Sequence, residues 1–396
     1  MITTLRSFLR LESASGIVLV LAAALALILA NSPLSPYYDL LLDIPVQVRI
    51  GKLDIDKPLL LWINDGLMVI FFFLIGLELK REAIEGELSD IRKVTLPALG
   101  AIGGMAVPGI IYFLVNQGDP VALRGWAIPT ATDIAFVLGI LALLGNRVPI
   151  TLKVFLVSLA IFDDIGAIAI IALFYTESIS ESALGLAGAC MLILLVLNRR
   201  RVMDYTPYIL IGVLMWIAIL KSGIHATLAG VILAMFIPLK SRTKPGYSPL
   251  KSLEHDLHGT VAFGILPIFA FANSGVPLAG ISADFILHPV TLGIALGLFL
   301  GKQIGVFLFC WIGIKLGLAK LPEGIRWSTL YGAALLCGVG FTMSLFIGSL
   351  AFEDAARSLF DERLGVMFGS LVCGISGFLM LRATLKDPDK QQPTPS

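Results

Sequence analysis

Charged residues make up only 14% of this 396-residue sequence, against roughly 25% in an ordinary soluble domain. That shortage excludes a water-facing surface for most of the chain. Hydrophobic residues reach 57%, which leaves the lipid bilayer as the solvent. A net charge of +1 supplies no basic face of the kind a nucleic-acid partner requires. Cysteine is equally thin: Cys190, Cys310, Cys337 and Cys373 lie in apolar runs without CxxC spacing. They read as small packing residues rather than a disulfide or metal framework.

What is present is a succession of charge-poor stretches, each about the 20 residues needed to cross a ~30 Å hydrocarbon core. They predict an all-α polytopic membrane protein of about twelve transmembrane helices, near 12–31, 59–79, 95–116, 122–144, 150–175, 182–198, 205–220, 223–238, 255–273, 290–312, 327–350 and 362–382. The first has Arg6 and Arg10 before it and small residues after it, but its apolar run exceeds the 7–15 residues of a signal-peptide core; it reads as a retained helix. Lys and Arg test the count, because they accumulate on the cytoplasmic side. With both termini inside, and residues in the first or last turn of a span counted with the loop they adjoin, 21 of the 29 fall in cytoplasmic segments and 7 in the opposite loops, and Lys302 lies deep within a span.

Residues 1–385 read as a single transmembrane domain and 386–396 as a polar tail. Residues 46–57 differ in pattern: Val46, Val48 and Ile50 alternate with Gln47 and Arg49, and after Gly51-Lys52 Leu53 and Ile55 alternate with Asp54 and Asp56. This predicts an extracytoplasmic β-hairpin with a two-residue turn. An isolated hairpin is marginal in water, so pairing with a second copy, as a homodimer, is the expected use.

Two spans are interrupted at mid-depth. The fourth holds Ile128-Pro129-Thr130-Ala131-Thr132-Asp133, where Pro removes a donor and blocks helical continuation, and the eleventh holds Cys337-Gly338-Val339-Gly340-Phe341-Thr342. Each is the middle of a triple, about 95–175 and 290–382, and the topology makes the two triples inverted repeats. Paired discontinuous helices in inverted repeats point to a substrate site.

Ionisable side chains at the bilayer centre cost ~2.5–3.5 kcal/mol each on insertion scales and are functional by default. Four occur here: Asp133, the adjacent Asp163 and Asp164, and Lys302. The two adjacent acids are ~100° apart around a helix, so one is free to face a cavity while the other reaches a neighbour. Buried ion pairs would account for one acid and the base. Three acids against one base leave negative charge that must be met by a proton or a cation. Where two interrupted helices cross, paired half-helix N-termini are partly positive and paired C-termini partly negative; Asp133 suits the first and Lys302 the second. Thr132 adds a hydroxyl or carbonyl oxygen, the ligand type that hard cations prefer.

The runs Trp62-Ile63-Asn64-Asp65, Gly76-Leu77-Glu78-Leu79-Lys80-Arg81-Glu82, Thr132-Asp133-Ile134-Ala135-Phe136, Phe162-Asp163-Asp164-Ile165-Gly166-Ala167, Leu253-Glu254-His255 and Cys337-Gly338-Val339-Gly340-Phe341-Thr342-Met343-Ser344 resemble, in the same order, the NhaA-type sodium/proton antiporters of bacterial inner membranes. The resemblance implies a secondary transporter rather than an enzyme, without a cofactor, carrying Na⁺, Li⁺ and H⁺. It implies electrogenic export of cytoplasmic Na⁺ or Li⁺ for two external protons, under pH regulation. Asp163 and Asp164 would then form the cation and proton site, with Asp133 and Lys302 as charge partners.

The family's pH-responsive cluster maps onto Glu78, Arg81, Glu82 and Glu85, which end the second span, and Glu254, His255 and His258, which open the ninth. Either group alone also has the look of a solvated helix end. The histidines lack the HExxH spacing of a metal site. Asp65, His225, Gly338 and Gly340 are secondary candidates. A sodium-coupled symporter or a channel would share the same fold signals. An intramembrane aspartyl protease needs two carboxylates facing each other from different helices, whereas Asp163 and Asp164 share one.

Overall fold

The computed structural model describes residues 2–51, 53–176, 180–240, 247–278, 283–352 and 360–385; the polar tail 386–396 lies outside them. Among the described residues, seven helices are long and apolar enough to cross a membrane: Leu59–Glu85, Arg92–Val115, Ile150–Phe174, Glu181–Arg199, Pro249–Asn273, Pro289–Lys315 and Glu362–Thr384. Three bent helix pairs bring the number to ten if each is one span. Thr206–Leu220 is apolar but shorter, and Leu228–Phe236 has nine residues.

The chain forms two compact units. One comprises residues 1–21, 90–167 and 276–396. In it, helices Ile91–Val115 and Lys302–Lys315 pack along their lengths and approach backbone to backbone. A Cβ added to Gly103 would lie 2.2 Å from the Gly305 carbonyl oxygen, and one added to Gly305 would lie 2.1 Å from that of Gly103. Small residues are what allow such crossings where no hydrophobic force drives helices together. The two interrupted spans also belong here. A 3-10 helix, Arg124–Thr130, is followed after three non-helical residues by Ile134–Leu143, bent by 44°. Trp327–Leu336 and Phe341–Ala351 are separated by residues 337–340 and bent by 43°.

The other unit comprises residues 22–89 and 168–275. Its core gathers Phe73, Leu77, Leu194, Tyr208, Met215, Leu233 and Ala234. Helix Leu228–Phe236 lies close against Met68–Glu85: a Cβ on Gly230 would fall 2.2 Å from the Val69 carbonyl oxygen. The carbonyls at the C-terminal end of this short helix take donors from elsewhere. Lys80 Nζ donates to Met235 and Ile237 at 2.7 Å, and Asn198 Nδ2 to Phe236 at 2.6 Å. In hydrocarbon an unsatisfied carbonyl costs several kcal/mol, so these side chains stabilise the early end.

The hairpin anticipated at 46–57 is present as antiparallel strands Pro45–Ile50 and Leu53–Pro58, in register from Pro45↔Pro58 to Ile50↔Leu53. Gly51 enters the turn with φ +60°, a conformation available to glycine without steric cost. Trp62 Nε1 donates to the Val46 carbonyl at 2.9 Å and Lys221 Nζ to that of Asp54 at 2.6 Å, tying the ribbon to its own unit.

Candidate functional site

The two breaks meet in the first unit, and they satisfy each other. The Asp133 amide donates to the Val339 carbonyl at 2.7 Å. Ser344 Oγ donates to the Ile128 carbonyl at 2.7 Å, and the Phe341 amide to Ser370 Oγ at 3.1 Å. Gly340 permits the approach, since a Cβ there would lie 3.0 Å from the Ala131 carbonyl oxygen of the other break, and a Cβ on Gly338 would meet the Leu298 carbonyl oxygen at 2.4 Å. A Cβ on Gly340 would lie 2.2 Å from Ser344 Oγ.

Asp133 is 2% exposed and caps both half-helices. Its Oδ1 accepts from the Phe136 amide at 3.0 Å, in the first turn of Ile134–Leu143. Its Oδ2 accepts from the amide of Thr342 at 3.0 Å, and from that residue's hydroxyl, in the first turn of Phe341–Ala351. A carboxylate set against two helix N-termini satisfies orphan amides and complements both dipoles. In the sequence Thr342 is marked only as a hydroxyl residue in the first turn after a glycine break.

Asp163, 1% exposed, and Lys302, fully buried, form an ion pair with Nζ 2.6 Å from Oδ2. Thr132 completes the group. Its hydroxyl lies 2.6 Å from Asp163 Oδ2 and 2.9 Å from the Cys337 carbonyl, with one proton for the two acceptors, and it accepts from Lys302 Nζ at 3.0 Å. Asp163 Oδ1 is buried with no hydrogen-bond partner among the described residues. A bare carboxylate oxygen in a buried site carries a desolvation cost that a bound proton or cation would offset. Asp164 follows on the same helix, ~100° around it, and is 5% exposed.

Local backbone form sets where Lys302 stands. Residues Gly297–Gly301 make a π-helical turn, and the Lys302 amide bonds back to Gly297. Such turns recur at functional sites because they shift the following residues around the helix. Gly104 lets the helix that carries Lys302 come close, since a Cβ there would lie 2.9 Å from Val306 Cγ2, with Lys302 Nζ at an ordinary contact distance of 3.6 Å.

The remaining candidates fall in the second unit. Arg81 Nε meets both carboxylate oxygens of Glu254, at 3.0 and 2.9 Å, and its Nη1 meets Glu82 at 2.7 Å. His258 Nδ1 stands 3.8 Å from Glu78, and Glu85 pairs with Lys251 at 2.6 Å and Lys240 at 3.1 Å. His255 is exposed and joins none of these pairs. Asp65 bonds Lys57 at 2.7 Å and lies 3.9 Å from His225 Nε2; His225 Nδ1 is 2.7 Å from the Thr227 hydroxyl. Asp65 sits in a second π-helical turn, Trp62–Leu67.

Comparison with known proteins adds an independent line. Residues 6–381 match the family described as Na+/H+ antiporter 1. The chain is similar to the Na(+)/H(+) antiporter NhaA of Psychrobacter arcticus, 60% identical over 97% of this chain and 96% of that protein. It is 62% identical to the protein of the same description from Desulfotalea psychrophila, over 96% of each. Against the Na(+)/H(+) antiporter NhaA 3 of Saccharophagus degradans it is 59% identical, over 96% of this chain and 97% of that one.

Proposed function

This chain belongs to the Na+/H+ antiporter 1 family, and from that premise we propose that it exports cytoplasmic Na⁺ or Li⁺ in exchange for external protons, two per cation. It is a multi-pass membrane protein and a secondary transporter, not an enzyme. The transported ions are Na⁺ and H⁺; the Li⁺ alternative, the direction and the stoichiometry belong to the proposal.

The observation that carries the proposal is the divided state of Asp163: Oδ2 is held by Lys302 and Thr132, while Oδ1 has no partner among the described residues. Na⁺ approaching Asp163 and Asp164 competes with the Lys302 ammonium for the first carboxylate and with protons for both. Hard-cation preference for carboxylate, hydroxyl and carbonyl oxygens gives Thr132 a share in the site. Asp133 stays on the paired helix N-termini and keeps the crossing neutral. Competition of this kind makes an antiporter without further machinery: protonation expels the cation at one face and deprotonation admits it at the other. Rocking of one bundle against another supplies alternating access.

In this reading the spans number twelve, counting the three bent pairs, Thr206–Leu220 and Leu228–Phe236 with the seven long helices. The triples about 95–175 and 290–382 are inverted repeats, and both termini are cytoplasmic in a bacterial inner membrane. Glu78, Arg81, Glu82, Glu85, Glu254, His255 and His258 regulate by pH, supported by the ion pairs joining residues 78–85 to 240–258. The hairpin joins two copies. What supports that use is a two-stranded sheet, which is marginal by itself in water, with Val48 39% exposed. The test is proton flux in everted membrane vesicles on adding Na⁺, Li⁺ and K⁺ in turn. Responses to Na⁺ and Li⁺ are expected; silence to both from neutral to alkaline pH would overturn the proposal.

A further inference from the structure

The residue after Lys302 is also buried and polar. Gln303 is 6% exposed, and its side chain turns back along its own helix so that Nε2 donates to the Phe299 carbonyl at 2.7 Å. Phe299 lies inside the π-helical turn Gly297–Gly301. Widening a turn to i→i+5 bonding disturbs the regular ladder, so a side-chain donor placed on a carbonyl within it holds the widened form. The other end of the same amide is occupied as well: Gln303 Oε1 accepts from the Tyr331 hydroxyl.

Tyr331 belongs to Trp327–Leu336, the half-helix that ends at the second break. The same two helices also meet through aromatic rings. Phe307, on the Lys302 helix, stands edge-on to Tyr331 at 5.5 Å and to Trp327 at 6.0 Å between centroids. Beyond the half-helix, the Cys337 carbonyl faces the Thr132 hydroxyl, which accepts from Lys302 Nζ. The contacts therefore close a ring. It runs from the π-turn through Gln303 and Tyr331 to the half-helix, then through Cys337 and Thr132 to the ammonium.

We propose that Gln303 and Tyr331 are positioning residues that fix the Lys302 π-turn to the half-helix before the second break, and so hold the Lys302 ammonium on Asp163. Neither touches the transported ion. Their effect passes through Lys302, and it rests on the reading above in which Na⁺ must displace that ammonium. Loosening the clamp weakens the competitor. One neutral hydrogen bond, converted to an equilibrium constant, corresponds to about a two- to tenfold change in Na⁺ affinity, in the direction of tighter binding.

The experiment is calorimetric titration of NaCl into purified full-length protein at alkaline pH, for wild type, Tyr331→Phe, Gln303→Met, Lys302→Ala and Tyr331→Phe/Lys302→Ala. Phe keeps the ring against Phe307 and removes only the hydroxyl, and Gln303→Met breaks the same bond from the other side should the first variant be unstable. Tyr331→Phe and Gln303→Met are expected to bind Na⁺ more tightly than wild type, Gln303→Met by at least the factor of Tyr331→Phe because it also loses the bond to Phe299, with the Tyr331 effect absent once Lys302 is gone. Unchanged affinity in the folded clamp variants, beside a changed Lys302→Ala, would overturn the clamp alone. Unchanged affinity in Lys302→Ala would instead overturn the competition reading on which it rests. A Tyr331 effect that persists without Lys302 would show a merely structural role and also reject the clamp.

Discussion

Lys302 Nζ and Asp163 Oδ2 stand 2.6 Å apart, on helices 139 residues distant in sequence, with both side chains shielded from solvent. Taking two such charges out of water costs several kcal/mol per ion before their attraction is counted. A pair kept at that cost, beside a bare carboxylate oxygen, is suited to being broken and remade during a transport cycle.

Asp163→Asn and Asp164→Asn are each expected to abolish Na⁺-dependent exchange while leaving insertion intact, because Asn keeps the volume but cannot alternate between proton and cation. Exchange activity normalised to membrane abundance checks this. Normal transport in abundant variants would remove the residue from the mechanism.

Lys302→Ala leaves the buried Asp163 without its countercharge, a loss of roughly 3–5 kcal/mol by analogy with other broken buried pairs. Lys302→Arg keeps the charge that faces Asp163 and the helix ends. Thermal denaturation in detergent should place Ala well below Arg, and exchange rates should follow the same order. Equal behaviour of the two would show that positive charge there is dispensable.

Much of this arrangement is legible in the sequence. Scarce charge in apolar runs singles out Asp133, Asp163, Asp164 and Lys302, and Pro129, Gly338 and Gly340 mark the breaks; alternation about Gly51 gives the hairpin its register. The pairings were not legible. Which of two adjacent acids meets Lys302 depends on the rotation of a helix, and the π-turns leave an apolar pattern that looks like any other helix. Thr342 lies 209 residues from Asp133, and nothing in its neighbourhood names that partner. Gln303 and Tyr331 are ordinary polar residues until the fold puts one against the other. Leu228–Phe236 is shorter than the span 223–238 read from hydropathy: Gly223 takes φ +84°, outside the helical region, and the helix begins only at Leu228.

The proposed regulation by pH rests on the ion pairs linking Arg81 to Glu254 and Glu82. Substituting Glu78, Glu82, Glu254 or His255 should displace the pH–activity profile more than it lowers the maximal rate, because these groups lie in the second unit, apart from Asp163 and Asp164 in the chain. Activity profiles from neutral to alkaline pH measure both quantities. A collapse of maximal rate without displacement would move these residues into the ion path itself.

Deleting residues 46–57 should weaken self-association and leave exchange measurable, since the site residues all lie outside the ribbon. Mass measurement of the purified protein in detergent reports the first and vesicle assays the second. An oligomeric mass unaffected by the deletion would contradict the hairpin's proposed use.

The central proposal is that two carboxylates hold either two protons or one Na⁺, so that each turnover moves one net positive charge inward. One charge crossing 100 mV is worth ~2.3 kcal/mol, and at ~1.4 kcal/mol per tenfold ratio that alone sustains roughly a 45-fold cation gradient. Sodium would then be expelled even with the outside more alkaline than the cytoplasm. The direct measurement is Na⁺ movement in sealed proteoliposomes under an imposed potassium diffusion potential, with no pH or Na⁺ gradient at the start. Flux that reverses with the sign of the potential and grows with its size is expected; flux indifferent to both would contradict two-for-one exchange and leave a one-for-one exchanger.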